Sequence, residues 1–249
     1  MRDLQAERIT SAQNPLLRHI RKLQTSRAYR EECGEFVADG WKLLSEVLKW
    51  YPFLTNVIVT DRKSSPELPE GVRIVEIPES LMQSLSSMKT PQGVIFTCRL
   101  PQNRDENICA GSLLLDRIQD PGNLGTILRT ADAFSIPVFL TNGCADPFSE
   151  KTIRASMGAV FRTLPQYIPL QEILRKKLPL AATALSSASV DLREVDLRNY
   201  VVVIGSEGQG ISNELLAAAE KHVIIPMQER CESLNAGVAA AIAMWQMIK

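Results

Sequence analysis

After residue 110 the sequence repeatedly runs through a short apolar stretch, then a loop rich in Pro, Gly, Asn or Ser, then a segment with helical spacing. No other feature constrains the fold as strongly. Strands that alternate with helices must pair in parallel, with the helices covering the sheet, so the chain is expected to hold an α/β layered domain. The expected strands are Ser112–Leu115, Val138–Leu140, Leu180–Ala184, Tyr200–Ile204 and Val223–Ile225. The run of valines in Tyr200–Ile204 marks a strand buried on both faces. Between them, helices are expected over Asn123–Phe134, Lys151–Met157, Ile211–Glu220 and Asn235–Met247, the last rich in Ala and apolar on more than one side.

Upstream, Phe36–Ala38, Asn56–Thr60, Arg73–Glu76 and Val94–Cys98 read as strands, with a helix over Gly40–Lys49. These form a second, smaller α/β unit. The polar stretch Arg99–Gly111, with its Pro and Asn, reads as the linker, so residues 1–108 and 109–249 are expected to be separate domains. At 249 residues the chain is long enough for two domains of ordinary size.

Charge narrows the partners. With 28 basic against 28 acidic residues the chain has no bulk attraction for nucleic acid, so any such binding must be local. One local patch stands out. Between Ser11 and Arg30 lie Arg18, Arg21, Lys22, Arg27 and Arg30, together with His19 and no acidic residue. Leu16, Leu17, Ile20 and Leu23 recur there at helical spacing, which predicts an amphipathic helix whose basic face is either a solvated surface or a phosphate-binding arm. The five cysteines are scattered without a CxxC pair, which argues against disulfides or zinc and for the reducing cytoplasm. The two histidines read as structural, and no metal site is expected. No apolar run is long enough to span a bilayer, and the first residues lack the core of a signal peptide.

Three loops follow expected strands and open helices, where α/β domains hold ligands. The first, Asp116–Arg129, has Pro121 and Gly122 to shape a turn and Asn123 as a candidate helix cap. The second, Gly205–Gly210, spaces its glycines as GxxGxG, letting a ligand approach the backbone. The third runs from Ile225 through Met227 to Ser233, Leu234 and Asn235, and either Ser233 or Asn235 is expected to cap the last helix.

Taken in order, DRIQDPGNLGTILRTADAF, GSEGQGIS and IPMQERCESLNAGVAAAI closely resemble the three motifs of the SpoU (TrmH-like) RNA 2′-O-ribose methyltransferases, within the SPOUT class. The stretch from SAQNPLLRHIRKL to LLSEVL, with MKTPQGVIFTC further on, resembles that family's ribosomal-protein-like substrate domain. The resemblance implies a Rossmann-like C-terminal domain with a deep trefoil knot, a homodimer, and S-adenosylmethionine as cofactor. It implies that Gly205, Gly208, Ile225, Met227 and Leu234 hold the cofactor, and that Arg129, Asn123, Glu207, Ser233 and Asn235 carry the chemistry. It implies an RNA substrate, a large-subunit rRNA ahead of a tRNA. Ser135 and Ala236-Gly237 depart from the usual pattern, as does Asp39.

Two other functions fit parts of the sequence. A non-catalytic RNA-binding relative would not need Asn123, Arg129, Glu207 and Ser233–Asn235, all of which are present. A nicotinamide-dependent oxidoreductase would need GxGxxG and an acidic residue about 20 positions on, and neither is found.

Overall fold

In the computed structural model, which describes residues 7–101, 107–186, 189–228, 230–231 and 233–249, the chain divides into two compact units. Unit 1 takes residues 1–102 together with 148–154; unit 2 takes 103–147 and 155–249. The expected linker lies partly outside the described residues. The transfer of 148–154 to unit 1 was not foreseen from sequence, because it depends on a contact rather than on a pattern. Phe148 stacks on Phe36 with ring centres 5.0 Å apart, and Gln24 donates to the Glu150 carboxylate at 3.3 Å.

The strands are β1 (Glu7–Arg8), β2 (Glu35–Asp39), β3 (Leu54–Val59), β4 (Arg73–Glu76), β5 (Val94–Arg99), β6 (Leu113–Asp116), β7 (Val138–Leu140), β8 (Gln166–Tyr167), β9 (Leu180–Thr183), β10 (Val190–Asp191), β11 (Val201–Gly205) and β12 (Lys221–Ile224). The helices are α1 (Pro15–Thr25), α2 (Arg27–Cys33), α3 (Trp41–Trp50), α4 (Glu79–Leu85), α5 (Pro121–Phe134), α6 (Glu150–Ala155), α7 (Val160–Thr163), α8 (Leu170–Lys176), α9 (Asn213–Ala218) and α10 (Ala236–Met247).

Unit 2 is built on a seven-stranded sheet in the order β10-β12-β9-β11-β6-β7-β8, with every pair parallel. The short apolar runs of β6, β7 and β11 are its middle, which is why they show no polar alternation. On one face Leu114, Val201, Val203 and Ala182 pack with Ile173 of α8 and Leu215 of α9. The chain leaves β6 toward β7 on one side and leaves β11 toward β12 on the other. The strand order therefore reverses between β6 and β11, and Asp116 is the register partner of Gly205 there. Loops diverge at such a point and leave a crevice.

Helix α10 packs on α5 and β11. At Gly237 a Cβ would stand 3.4 Å from Thr126 Cγ2, so the small residue suits a close helix crossing. At the other end of α5, Ser135 takes the left-handed backbone (φ 56°) of a helix C-cap, the conformation for which the family pattern supplies glycine.

Unit 1 holds a five-stranded mixed sheet, β1-β4-β3-β5-β2, in which β5 runs antiparallel to both β3 and β2. Leu17, Ile20 and Leu23 of α1 and Met82 and Leu85 of α4 bury against Val37, Ile58, Val75 and Ile95. The basic segment is not one helix. Ser26 breaks it: its N–H closes α1 on Lys22 O, and its hydroxyl accepts Tyr29 N–H to open α2. Asp39, at the end of β2, is half-buried, accepts the Ser86 hydroxyl, and has its carboxyl pushed up by burial.

Candidate active site

The β6/β11 crevice assembles itself from helix caps and one carboxylate. Asp120 precedes Pro121, and its side chain accepts the Asn123 N–H at 2.7 Å, so Asp120 rather than Asn123 caps α5. That frees the Asn123 side chain. Asn235 caps α10, its Oδ1 accepting the N–H groups of Gly237 at 3.0 Å and Val238 at 3.3 Å. Glu207, on the loop after β11, then joins the two helix starts. Its Oε1 accepts Asn123 Nδ2 at 3.0 Å, Asn235 Nδ2 at 2.8 Å and the Ala236 N–H at 3.0 Å. Asn235 Nδ2 also donates to Asn123 Oδ1 at 2.9 Å. A carboxylate at the first turn of α10 is favoured by the helix dipole as well as by these bonds.

Beside this knot of hydrogen bonds lies a cavity of about 430 Å³ between the loops after β9, β11 and β12 and the start of α10. Gly205, Ile225, Met227 and Leu234, four of the five expected cofactor residues, line it, as do Glu207 and Ser233. Gly208 does not; it is exposed, with open space where a Cβ would go. Asn123 and Asn235 lie just outside the lining, and their amides are spent on holding loops together rather than facing a substrate. Arg129 sits about 120° round α5 from Asn123, at 100° per residue. It is exposed and has no hydrogen bond or ion pair among the described residues. Asp132, one turn on, is taken by Arg162 at 2.7 Å.

Gly205, which lines the cavity, is also required as a glycine by its own loop. A Cβ there would stand 2.4 Å from Gly210 C and 2.5 Å from Ile211 N, which are backbone atoms of its own loop. The glycine lets the loop fold back on itself, with Ser206 and Gly210 exchanging N–H···O bonds of 3.2 and 2.9 Å. Residues overlooked in the sequence are Asp120, which the Asp-Pro start of a helix could have signalled, and Asp116 and Arg117, whose partners are distant in the chain.

On unit 1 the basic residues are unequal. Arg18 is exposed with no partner among the described residues, and Lys22 stands over the Tyr29 ring at 5.2 Å. Arg21 donates to Ala12 O at 3.0 Å and Ser84 Oγ at 3.4 Å. Arg27 pairs with Glu31 at 2.8 Å. Arg30 is only 5% exposed and donates to Leu23 O at the end of α1. Its burial removes it from any RNA-binding face. Nor is the patch free of acid in space, since Glu35 binds His19 Nε2 at 2.8 Å. Among the described residues no cluster of three or more His, Cys, Asp or Glu is arranged to hold a metal ion.

Comparison with known proteins gives this site a family. The sequence profile of the SpoU rRNA methylase family matches residues 111–245. The chain belongs to the SpoU rRNA methylase family. A second profile, described as an MRM3-like substrate binding domain, matches residues 14–95. Among SpoU relatives, the 23S rRNA (guanosine(2553)-2'-O)-methyltransferase RlmP of Bacillus subtilis is 30% identical over 97% of this chain and 99% of its own length. The human mitochondrial rRNA methyltransferase 3 is 28% identical over 92% of this chain and 71% of its own. An AdoMet-bound rRNA methyltransferase from Sinorhizobium meliloti superposes with a TM-score of 0.86 at 30% identity, covering 97% of both chains. Membership sets aside the nicotinamide reading and agrees with the placement of the SpoU motifs around one crevice.

The glycine loop of this SpoU site is sterically tight enough to test. Gly205→Ala is expected to lower the unfolding free energy by about 1–3 kcal/mol, the usual cost of overpacking, read from urea denaturation. A variant as stable as the parent would mean that the loop relaxes freely away from residue 205.

Proposed function

We propose that the protein transfers a methyl group from S-adenosylmethionine to a ribose 2′-OH in structured RNA, and that its substrate is a large-subunit rRNA. The observation that carries the reading is the Glu207 network, in which a residue of the cavity wall ties the first motif's Asn123 to the third motif's Asn235 and Ala236. The AdoMet-bound S. meliloti relative and the 23S rRNA assignment of the B. subtilis relative support the cofactor and the RNA class respectively.

The residues present fit this cofactor. A cavity of about 430 Å³ is in the range for small-ligand sites, roughly 300–1,000 Å³. Its wall includes Gly205 and Gly210 together with Leu185, Ile204, Leu216 and Met227, suited to a nucleoside whose edges are read by main-chain N–H and C=O groups. Gly205, Ile225 and Leu234 offer those groups, and Met227 packs alongside. When bound, S-adenosylmethionine supplies an electrophilic methyl group on a sulfonium.

The chain must then hold a ribose hydroxyl in line and remove its proton. Arg129 is the candidate for the second task, but a guanidinium with a pKa of about 12.5–13.8 is a poor base. Its role is to stabilise the developing alkoxide and grip the neighbouring phosphate, while water or phosphate accepts the proton. Ser233, at the cavity wall, has a hydroxyl to offer the ribose a hydrogen bond. Asn123, Asn235 and Glu207 act by fixing the loops. RNA is gripped by unit 1 through Arg18, Lys22, Arg21 and Arg27.

The same reading makes the active form a homodimer. Val238, Ile242 and Trp245 recur at i, i+4 and i+7 on α10 and are 48%, 37% and 61% exposed, a stripe suited to packing against a second copy. It includes the deep knot of the family's fold, supported by bonds such as Asn235 to Asn123 that join positions 112 residues apart. It also puts the protein in the cytoplasm: all five cysteines are free, and no helix among the described residues is long and apolar enough to cross a membrane.

Arg129→Ala is expected to keep S-adenosylmethionine affinity and lose more than tenfold in kcat on rRNA, about 1.4 kcal/mol of barrier. Retention of over a tenth of the rate removes Arg129 from the chemistry. Ribose-methylation mapping of total RNA with and without the gene identifies the target; a lost mark on tRNA alone overturns the rRNA assignment. Reversing Arg18 and Lys22 to Glu is expected to weaken RNA binding and reduce its log–log salt slope by about 0.7–0.9 per lost phosphate contact, with cofactor affinity unchanged. An unaltered slope assigns RNA binding to another surface. Ile242→Glu is expected to shift the sedimentation coefficient from dimer to monomer, and a parent that is already monomeric contradicts the dimer.

A further inference from the structure

Arg117 is the first residue after β6, inside the first motif, yet the catalytic reading leaves it without a role. Its backbone is left-handed (φ 56°), a region that residues other than Gly, Asn and Asp seldom enter. The Arg117 N–H donates to Thr141 Oγ1 at 3.2 Å. The guanidinium crosses to the glycine loop, Nη1 donating to Gln209 Oε1 at 3.0 Å and Nη2 to Gly210 O at 3.4 Å. Its Nε faces the Asp116 carboxylate at 3.5 Å.

That carboxylate is itself held in place. Asp116 is 2% exposed and accepts the Thr141 hydroxyl at 2.8 Å and the Ser212 N–H at 2.7 Å. The loop after β7 leaves room for the arginine: at Gly143 (φ 94°) a Cβ would stand 3.2 Å from Arg117 Cγ. Loops from β6, β7 and β11 thus converge on one side chain. Gln209 and Gly210 line the cavity, whereas Arg117 does not.

We infer that Arg117 is a positioning residue that clamps the glycine loop into the shape that binds the cofactor, without touching the cofactor itself. The inference rests on the reading of the cavity as the S-adenosylmethionine site. Such a clamp serves ground state and transition state alike, so its removal changes KM for the cofactor and leaves kcat nearly untouched. The forked guanidinium reaches two acceptors at once, which the single ammonium of a lysine cannot reproduce.

The test uses the full chain carrying Arg117→Asn, chosen because Asn tolerates the left-handed backbone, alongside Arg117→Lys, Gln209→Ala and the Asn/Ala double variant. Three measurements are made: calorimetric S-adenosylmethionine affinity, KM and kcat on RNA, and hydrogen exchange of the 205–211 amides. Arg117→Asn is expected to weaken cofactor binding about tenfold, or about 1.4 kcal/mol, with a matching rise in KM, kcat within about twofold, and faster loop exchange. Arg117→Lys recovers only part, and adding Gln209→Ala to Arg117→Asn costs less than Gln209→Ala does alone. Unchanged affinity and exchange overturn the clamp, as does a fall in kcat at constant KM, which would make Arg117 a substrate contact. If the parent protein binds no S-adenosylmethionine, the cofactor reading fails by itself. Loop exchange then decides the clamp, faster exchange supporting it and unchanged exchange ending it. Should Arg117→Asn not fold, Gln209→Ala carries the same expectation at about threefold, and parental affinity and exchange in that variant overturn it.

Discussion

One carboxylate oxygen holds the SpoU site together. Glu207 Oε1 takes N–H groups from α5's Asn123, from the α10 cap Asn235 and from the first amide of α10. Remove that oxygen and both side-chain amides lose their common acceptor, α10 loses a charge at its positive end, and the loop after β11 loses its anchor to either helix. Hydrogen bonds to a charged acceptor contribute about 1.5–3 kcal/mol each when shielded from water. Here the residue is exposed, so the value of the arrangement is geometric: three loops share one fixed point.

That fixed point works because the sheet supplies a matching one below it. Asp116 and Gly205 are register partners at the carboxyl ends of β6 and β11, where the strand order reverses. Buried valines and leucines set this pair rigidly. The loops above it carry Gly205 and Gly210 into the cavity wall, where main chain lies open to a ligand. A site read through main-chain groups tolerates sequence variation in its walls, while glycines and caps that shape the path are held by steric necessity.

Much of this was legible in the sequence. The apolar runs located β6, β7, β9 and β11 within a residue or two, since strands buried on both faces need no polar alternation to be recognised. The glycine loop and the α10 cap were legible for similar local reasons. What was not legible depended on partners far along the chain. Asn123 looked like a cap until Asp120 took that place, the need for glycine at 205 comes from Gly210 and Ile211 of its own loop, and Arg30 looked like a phosphate contact until α2 turned it inward onto Leu23. Short terminal strands such as β8 and β10, two residues each, carry no periodicity to read.

The Asn235–Asn123 bond has a consequence in time as well as in space. Its ends are 112 residues apart, and the Glu207–Asn123 bond spans 84. Contacts of such separation bear the entropy of closing a long loop before they return any stability, so they form late. Synthesis at about 5–20 residues per second delivers α10 after everything it must dock on. The sheet can therefore be complete while the cavity is still open, and a chain arrested before residue 236 has a core but no floor for the ligand.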